Sequence, residues 1–66
     1  MLLKEFTEPE CEHLRKMCNF TEEERAVFDM RVKGRSIIET CLALNMSEST
    51  VNRRVAAVKK KIVRVL

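Results

Sequence analysis

The apolar residues near the C-terminal end of the chain recur with the period of a helix. Val51, Val55, Val58, Ile62 and Val65 follow one another at spacings of four, three, four and three, which lays them along one stripe of an α-helix. No stretch alternates apolar and polar residues over several β-branched positions. With one Gly, one Pro and neither Tyr nor Trp, strands are not expected. The pattern predicts an all-α fold, a small four-helix domain whose last helix is the longest.

Helix starts are marked in the sequence. A Ser or Thr followed three residues later by Glu can cap the N3 amide with its hydroxyl while the carboxylate reaches back to the cap. Thr7-Glu8-Pro9-Glu10 opens a first helix that runs to about Cys18, with Pro9 in the first turn where its missing N–H costs nothing. Thr21-Glu22-Glu23-Glu24 opens a second, which reaches about Lys33 and is ended by Gly34. Ser36-Ile37-Ile38-Glu39 opens a third that stops near Leu44, because Asn45 suits a left-handed cap and Ser47 then opens the fourth. That fourth helix meets no breaker before Leu66. Its stripe should pack on Val27, Phe28 and Val32 of the second helix and Ile37, Cys41 and Leu44 of the third, with Leu14, Met17 and Cys18 bringing in the first. One domain over residues 1–66 is expected: an arm over 1–6 that has no start signal, an extra helix over 8–18, a core over 20–62 and a helix end over 63–66.

Composition narrows the class. A chain of 66 residues buries about 60% of the surface it exposes when unfolded, so its core is thin. Charged residues make up 35% and hydrophobic residues 45%, which fits a globular domain rather than a disordered chain. No apolar run approaches the roughly 18 residues of a membrane span, and Met1-Leu2-Leu3 meets Lys4 too soon for a secretory leader. A cytoplasmic protein with no membrane partner is expected. Charge is unevenly spread: residues 1–33 carry six Lys/Arg against eight Asp/Glu, whereas residues 34–66 carry seven against two. A basic half of this kind suits a polyanion.

The three cysteines, Cys11, Cys18 and Cys41, are read as reduced and largely buried. Cys11, His13 and Cys18 do not form a metal site, because His13 points about 200° away from Cys11 on a helix. No Gly-rich phosphate loop or nucleophile with an orienting base is present. Neither catalysis, nor a cofactor, nor a small-molecule ligand is expected.

The short third helix, the turn Asn45-Met46-Ser47 and the long fourth helix, backed by a preceding helix, form a helix-turn-helix with a long C-terminal recognition helix. Measured from Val51 at about 100° per residue, Ser49, Arg53, Ala56 and Lys60 gather at about 140 to 200°, opposite the apolar stripe, with Asn52 at the flank. Arg can pair with guanine and Asn with adenine, and a small Ala lets the helix approach closely. Double-stranded DNA is therefore the expected partner, with Ser49, Asn52 and Arg53 on base edges and Arg35, Thr50, Arg54, Lys59 and Lys60 on phosphates. A plain solvated helix face is the bland alternative.

From Phe20 to Ile62 the chain resembles the LuxR-type DNA-binding domain, and hardly less region four of sigma factors. The matching residues are Phe20-Thr21-Glu22 with Glu24, Val27-Phe28 with Met30, Gly34 and Ser36, Glu39, Leu44 with Met46-Ser47-Glu48 and Thr50-Val51, then Val55, Val58 and Lys61-Ile62. The resemblance implies that Ser49, Thr50, Asn52, Arg53 and Arg54 contact bases or phosphates. Three departures stand out: Ile37 and Ile38 occupy positions that are usually polar in LuxR-type domains and Thr40 replaces a core Ile, which together predict a rotated packing of the third helix, and Arg54 replaces a common His. One module offers limited contact area, so a homodimer reading half-sites about one helical turn apart is a further expectation. Its candidate surfaces are Val63 with Leu66 and the arm Met1-Leu2-Leu3 with Phe6, the alternative being that these segments pack on one another or on the body within a monomer. The competing function is a helical protein-interaction module, for a polymerase subunit or a phage assembly partner.

Overall fold

Each helix begins where a hydroxyl closes its first turn. The computed structural model of the chain describes residues 2–66 as a 3-10 turn (Leu3–Glu5) followed by α1 (Glu8–Met17), α2 (Glu22–Val32), α3 (Ile37–Leu44) and α4 (Glu48–Val65). All three capping boxes form: Thr7 with Glu10, Thr21 with Glu24 and Ser36 with Glu39 exchange both hydrogen bonds. Ser47 caps α4 by accepting from the Thr50 amide. No strand occurs among the described residues.

The helix ends follow from backbone chemistry as well. Gly34 adopts φ +83°; its N–H donates to the Arg31 carbonyl at 3.0 Å and that of Arg35 to the Met30 carbonyl at 3.2 Å. This Schellman pair satisfies two carbonyls that the end of α2 would otherwise leave free. Asn45 is left-handed, with φ 53° and ψ 48°, and the next N–H, that of Met46, returns to the Cys41 carbonyl at 3.0 Å. The turn into α4 is thereby fixed in direction. Asn19, just after α1, is also at positive φ.

The stripe of α4 faces inward. Val51, Val58 and Ile62 are fully buried, Val55 and Val65 partly so. α4 packs chiefly on α2 and then on α3, with a smaller contact to α1. Leu3, Cys11, Leu14, Cys18 and Phe28 join Val58 and Ile62 in one apolar cluster, against which Phe6, Phe20, Val32 and Val65 lie. The Phe20 and Phe28 rings are tilted at 5.0 Å between centroids, and Arg15, salt-bridged to Asp29 at 2.9 Å, covers the Phe28 ring.

The sequence leaves the place of the arm open, and two other expectations change. The N-terminal arm is part of the body: Leu3 is buried and Phe6 half-buried, so their apolar surface is spent within the chain, and Met1 lies outside the described residues. Met17, expected inside, is exposed, because Cys11, Leu14 and Cys18 already form the inward line of α1 and Met17 falls beyond its edge. The third helix is not turned away from the core at Thr40. That residue is fully buried, and its hydroxyl donates to the Ser36 carbonyl at 2.8 Å, which meets the polar demand of the site without a partner on another helix.

Candidate nucleic-acid interface

Burial of Val51, Val58 and Ile62 fixes the rotation of α4, and with it what the helix shows to its surroundings. Ser49, Asn52, Arg53, Ala56 and Lys60 are all exposed. The polar face expected from the sequence is therefore assembled on one helix. Arg64, about 220° from Val51 at 100° per residue and also exposed, extends the same line; the helical wheel could have found it. Among the described residues, Arg53, Lys59, Lys60 and Arg64 take part in no ion pair.

The first turn of α4 is held by hydroxyls. The Ser47 hydroxyl accepts from the Thr50 amide at 3.2 Å and donates to Thr50 Oγ1 at 2.9 Å, and Arg53 Nη2 reaches the same oxygen at 3.4 Å. With its acceptor sites so occupied, Thr50 keeps its own O–H as a donor, the polarity that a phosphate oxygen needs. The N-terminal end of the helix adds its partial positive charge to the same place.

The other expected phosphate ligands are more scattered. Lys59 is half-buried on the Asn52 side of α4. Arg35 stands just before α3, 3.8 Å from Glu39 with both side chains half exposed, and its carbonyl accepts from Arg31 Nη1. Hydrogen bonding from the Ser36 backbone, with lesser help from Arg35, holds the Glu39 carboxyl below its ordinary range. Arg54 is turned away from the exposed face. Its Nε donates to Glu23 Oε1 of α2 at 3.0 Å, and its Nη2 lies 2.8 Å from the same oxygen in an ion pair.

Next to that pair lies one that the sequence reading did not identify. Lys61 Nζ donates to Glu24 Oε1 at 2.5 Å and to the Asn19 carbonyl at 3.2 Å. Glu24 is buried, and the Lys61 ammonium, seconded by the Thr21 backbone, holds its carboxyl below the usual range. Arg54 and Lys61 are seven residues apart on one flank of α4, so consecutive glutamates in the first turn of α2 take both. Burial pushes the Cys11 and Cys18 thiols up, which keeps them protonated and unreactive. No group of His, Cys, Asp and Glu among the described residues could hold a metal ion, and no described helix is long and apolar enough to cross a membrane.

A family profile described as Sigma-70, region 4 matches residues 15–62, from the last turn of α1 to the late turns of α4. The chain belongs to the sigma-70 region 4 family. No curated protein and no solved structure gives a significant match. Of the two resemblances in the sequence, the sigma one is the one supported, and it covers more of the first helix than the motif from Phe20 onward. This sigma-70 region 4 domain is a DNA-binding helix-turn-helix with a role connected to transcription. Within it α3 and α4 are the helix-turn-helix pair, and α2 is the helix against which both pack.

Proposed function

We propose that the protein binds double-stranded DNA sequence-specifically as a small transcriptional regulator, reading the major groove with α4. One observation carries the reading: Val51, Val58 and Ile62 have no exposed surface while Ser49, Asn52, Arg53 and Lys60 lie open on the opposite side. In this reading Ser49, Asn52 and Arg53 meet base edges, and Thr50, Lys59, Lys60 and Arg35 hold phosphates and set register. Arg54 joins them only if it leaves Glu23. No catalytic step, cofactor or small ligand is part of the activity. Two copies bind adjacent half-sites, and the exposed Val63 and Leu66 at the end of α4 are the surface through which they meet.

The test is selection of bound duplexes from a random pool, followed by salt titration of the selected duplex. A recovered motif with two related halves and an affinity that falls steeply with salt is expected. Recovery of no motif, with salt-insensitive binding, contradicts the reading. Sedimentation of the free protein and of its complex tests the dimer separately.

A second reading, a protein-interaction module on the same scaffold, is favoured by Ile38 and Leu42, which stand exposed four residues apart on α3. That function leaves duplex affinity negligible at low salt, so the same titration separates the two.

A further inference from the structure

The basic half of the chain offers DNA fewer cations than it contains, because α2 neutralises one flank of α4. Arg54 donates from Nε to Glu23 Oε1 at 3.0 Å and holds Nη2 2.8 Å from the same oxygen, and a charge-assisted bond is stronger than a neutral one. Lys61, on the same flank, is taken by Glu24. Arg53, Lys59, Lys60 and Arg64 are left for a polyanion.

We propose that Glu23 masks Arg54 from DNA, so that α4 docks with its Arg54 flank electrically neutral and Arg54 contributes no phosphate contact in the unaltered protein. The inference rests on the DNA-binding reading and assigns Glu23, which touches no DNA itself, the role of limiting how many phosphates the helix neutralises. Two physical points support it. Arg54 sits about 100° around the helix from Arg53, next to the buried stripe, so its guanidinium must swing off Glu23 to reach a phosphate facing the exposed side. Leaving also strips Glu23 of its counter-charge beside a polyanion. The half-exposed carboxylate would then repel the DNA that Arg54 had gone to meet, and the gain from one phosphate contact is offset by the anion left behind.

The test is a double-mutant cycle read by fluorescence anisotropy on a mixed-sequence duplex over a series of salt concentrations. It uses the full chain, Glu23→Gln, Arg54→Ala and the double variant. Arg54→Ala alone bares the Glu23 carboxylate and should weaken binding to every duplex, while the double variant, which removes both charges of the pair, should keep the slope of log affinity against log salt of the unaltered chain. Glu23→Gln should steepen that slope by about 0.9, the increment of one phosphate contact, and tighten binding roughly three- to tenfold near 0.1 M salt. In the Arg54→Ala background Glu23→Gln should no longer steepen it. A lower slope in the double variant than in the unaltered chain overturns the proposal, because Arg54 then already binds phosphate. Equal steepening of the slope by Glu23→Gln in both backgrounds also overturns it, because Glu23 is then merely a nearby negative charge. If the unaltered chain fails to bind any duplex, the DNA-binding reading falls and takes the inference with it; steep salt dependence in the unaltered chain with an inert Glu23 removes the inference alone. Thermal unfolding of each variant verifies that the fold is kept.

Discussion

Arg53 and Lys60 occupy the same side of α4 seven residues apart, yet the chemistry of their ends assigns them different work. Arg53, near the N-terminal end of the helix, has a planar fork that can pair with a guanine edge, whereas Lys60 is a point charge better suited to the backbone. Arg53→Ala is expected to cost about 1 to 3 kcal/mol on a selected duplex and to relax sequence preference at one position, while Lys60→Ala weakens all duplexes alike and lowers the salt slope by about 1. Competition binding with single-base variants of the selected site separates these effects; equal losses on every sequence for both variants would show that no base is read. Thr40 makes a different point. Its hydroxyl donates to a carbonyl that already accepts from the Thr40 amide at 2.9 Å, so removing the hydroxyl leaves no acceptor unsatisfied. Thr40→Val should therefore change stability in urea by less than about 1 kcal/mol, and a loss of several kcal/mol would show that this account of the site is incomplete.

At the scale of the element, the termini carry most of the information. Asn45 holds φ 53° at the end of α3, a conformation that costs a β-branched residue roughly 1 to 2 kcal/mol and glycine nothing. Asn45→Val should destabilise the domain by about that much and Asn45→Gly should not, as read by thermal unfolding; the reverse order would mean that the turn is not set by this residue. The helices were legible in the sequence because their signals are local. A hydroxyl and a carboxylate three residues apart need no tertiary partner to close a turn, and the 3.6-residue period of Val51, Val55, Val58 and Ile62 states which side of α4 is buried before anything packs on it. The arm was not legible, since Leu3 and Phe6 lack a capping signal and are held by contacts with distant residues. Nor was the commitment of Arg54 and Lys61 to Glu23 and Glu24. Those pairs depend on how α2 crosses α4, a quantity that no one-dimensional pattern contains. The exposed face of the candidate site could be read off the wheel; the division of its cations into free and paired could not.

Across the whole molecule, the Lys61–Glu24 contact joins the end of α1, the start of α2 and the late turns of α4. Lys61 reaches both Glu24 and the Asn19 carbonyl, and the Glu24 carboxyl titrates below its ordinary range because of Lys61 first and Thr21 second. A carboxylate whose folded pKa is depressed adds stability above its unfolded pKa, about 4.3 for Glu, and loses it as pH falls through the lower folded value. The melting temperature should thus hold from neutral pH to about 5 and then fall. Glu24→Gln should lower stability at pH 7 by roughly 1 to 3 kcal/mol and flatten that acid limb; an unchanged acid limb in the variant would place the pH dependence elsewhere. The whole molecule also decides the central question, because the same packing that buries the valines of α4 turns Ser49, Asn52 and Arg53 outward. The most direct test is to titrate isotope-labelled protein with a selected duplex and follow its backbone amide and arginine side-chain resonances. The largest shifts are expected at Ser49, Thr50, Asn52, Arg53 and Lys60, with the resonances of Cys11, Leu14 and the rest of α1 unmoved. Shifts concentrated on α1, or on Ile38 and Leu42 with α4 silent, would contradict it.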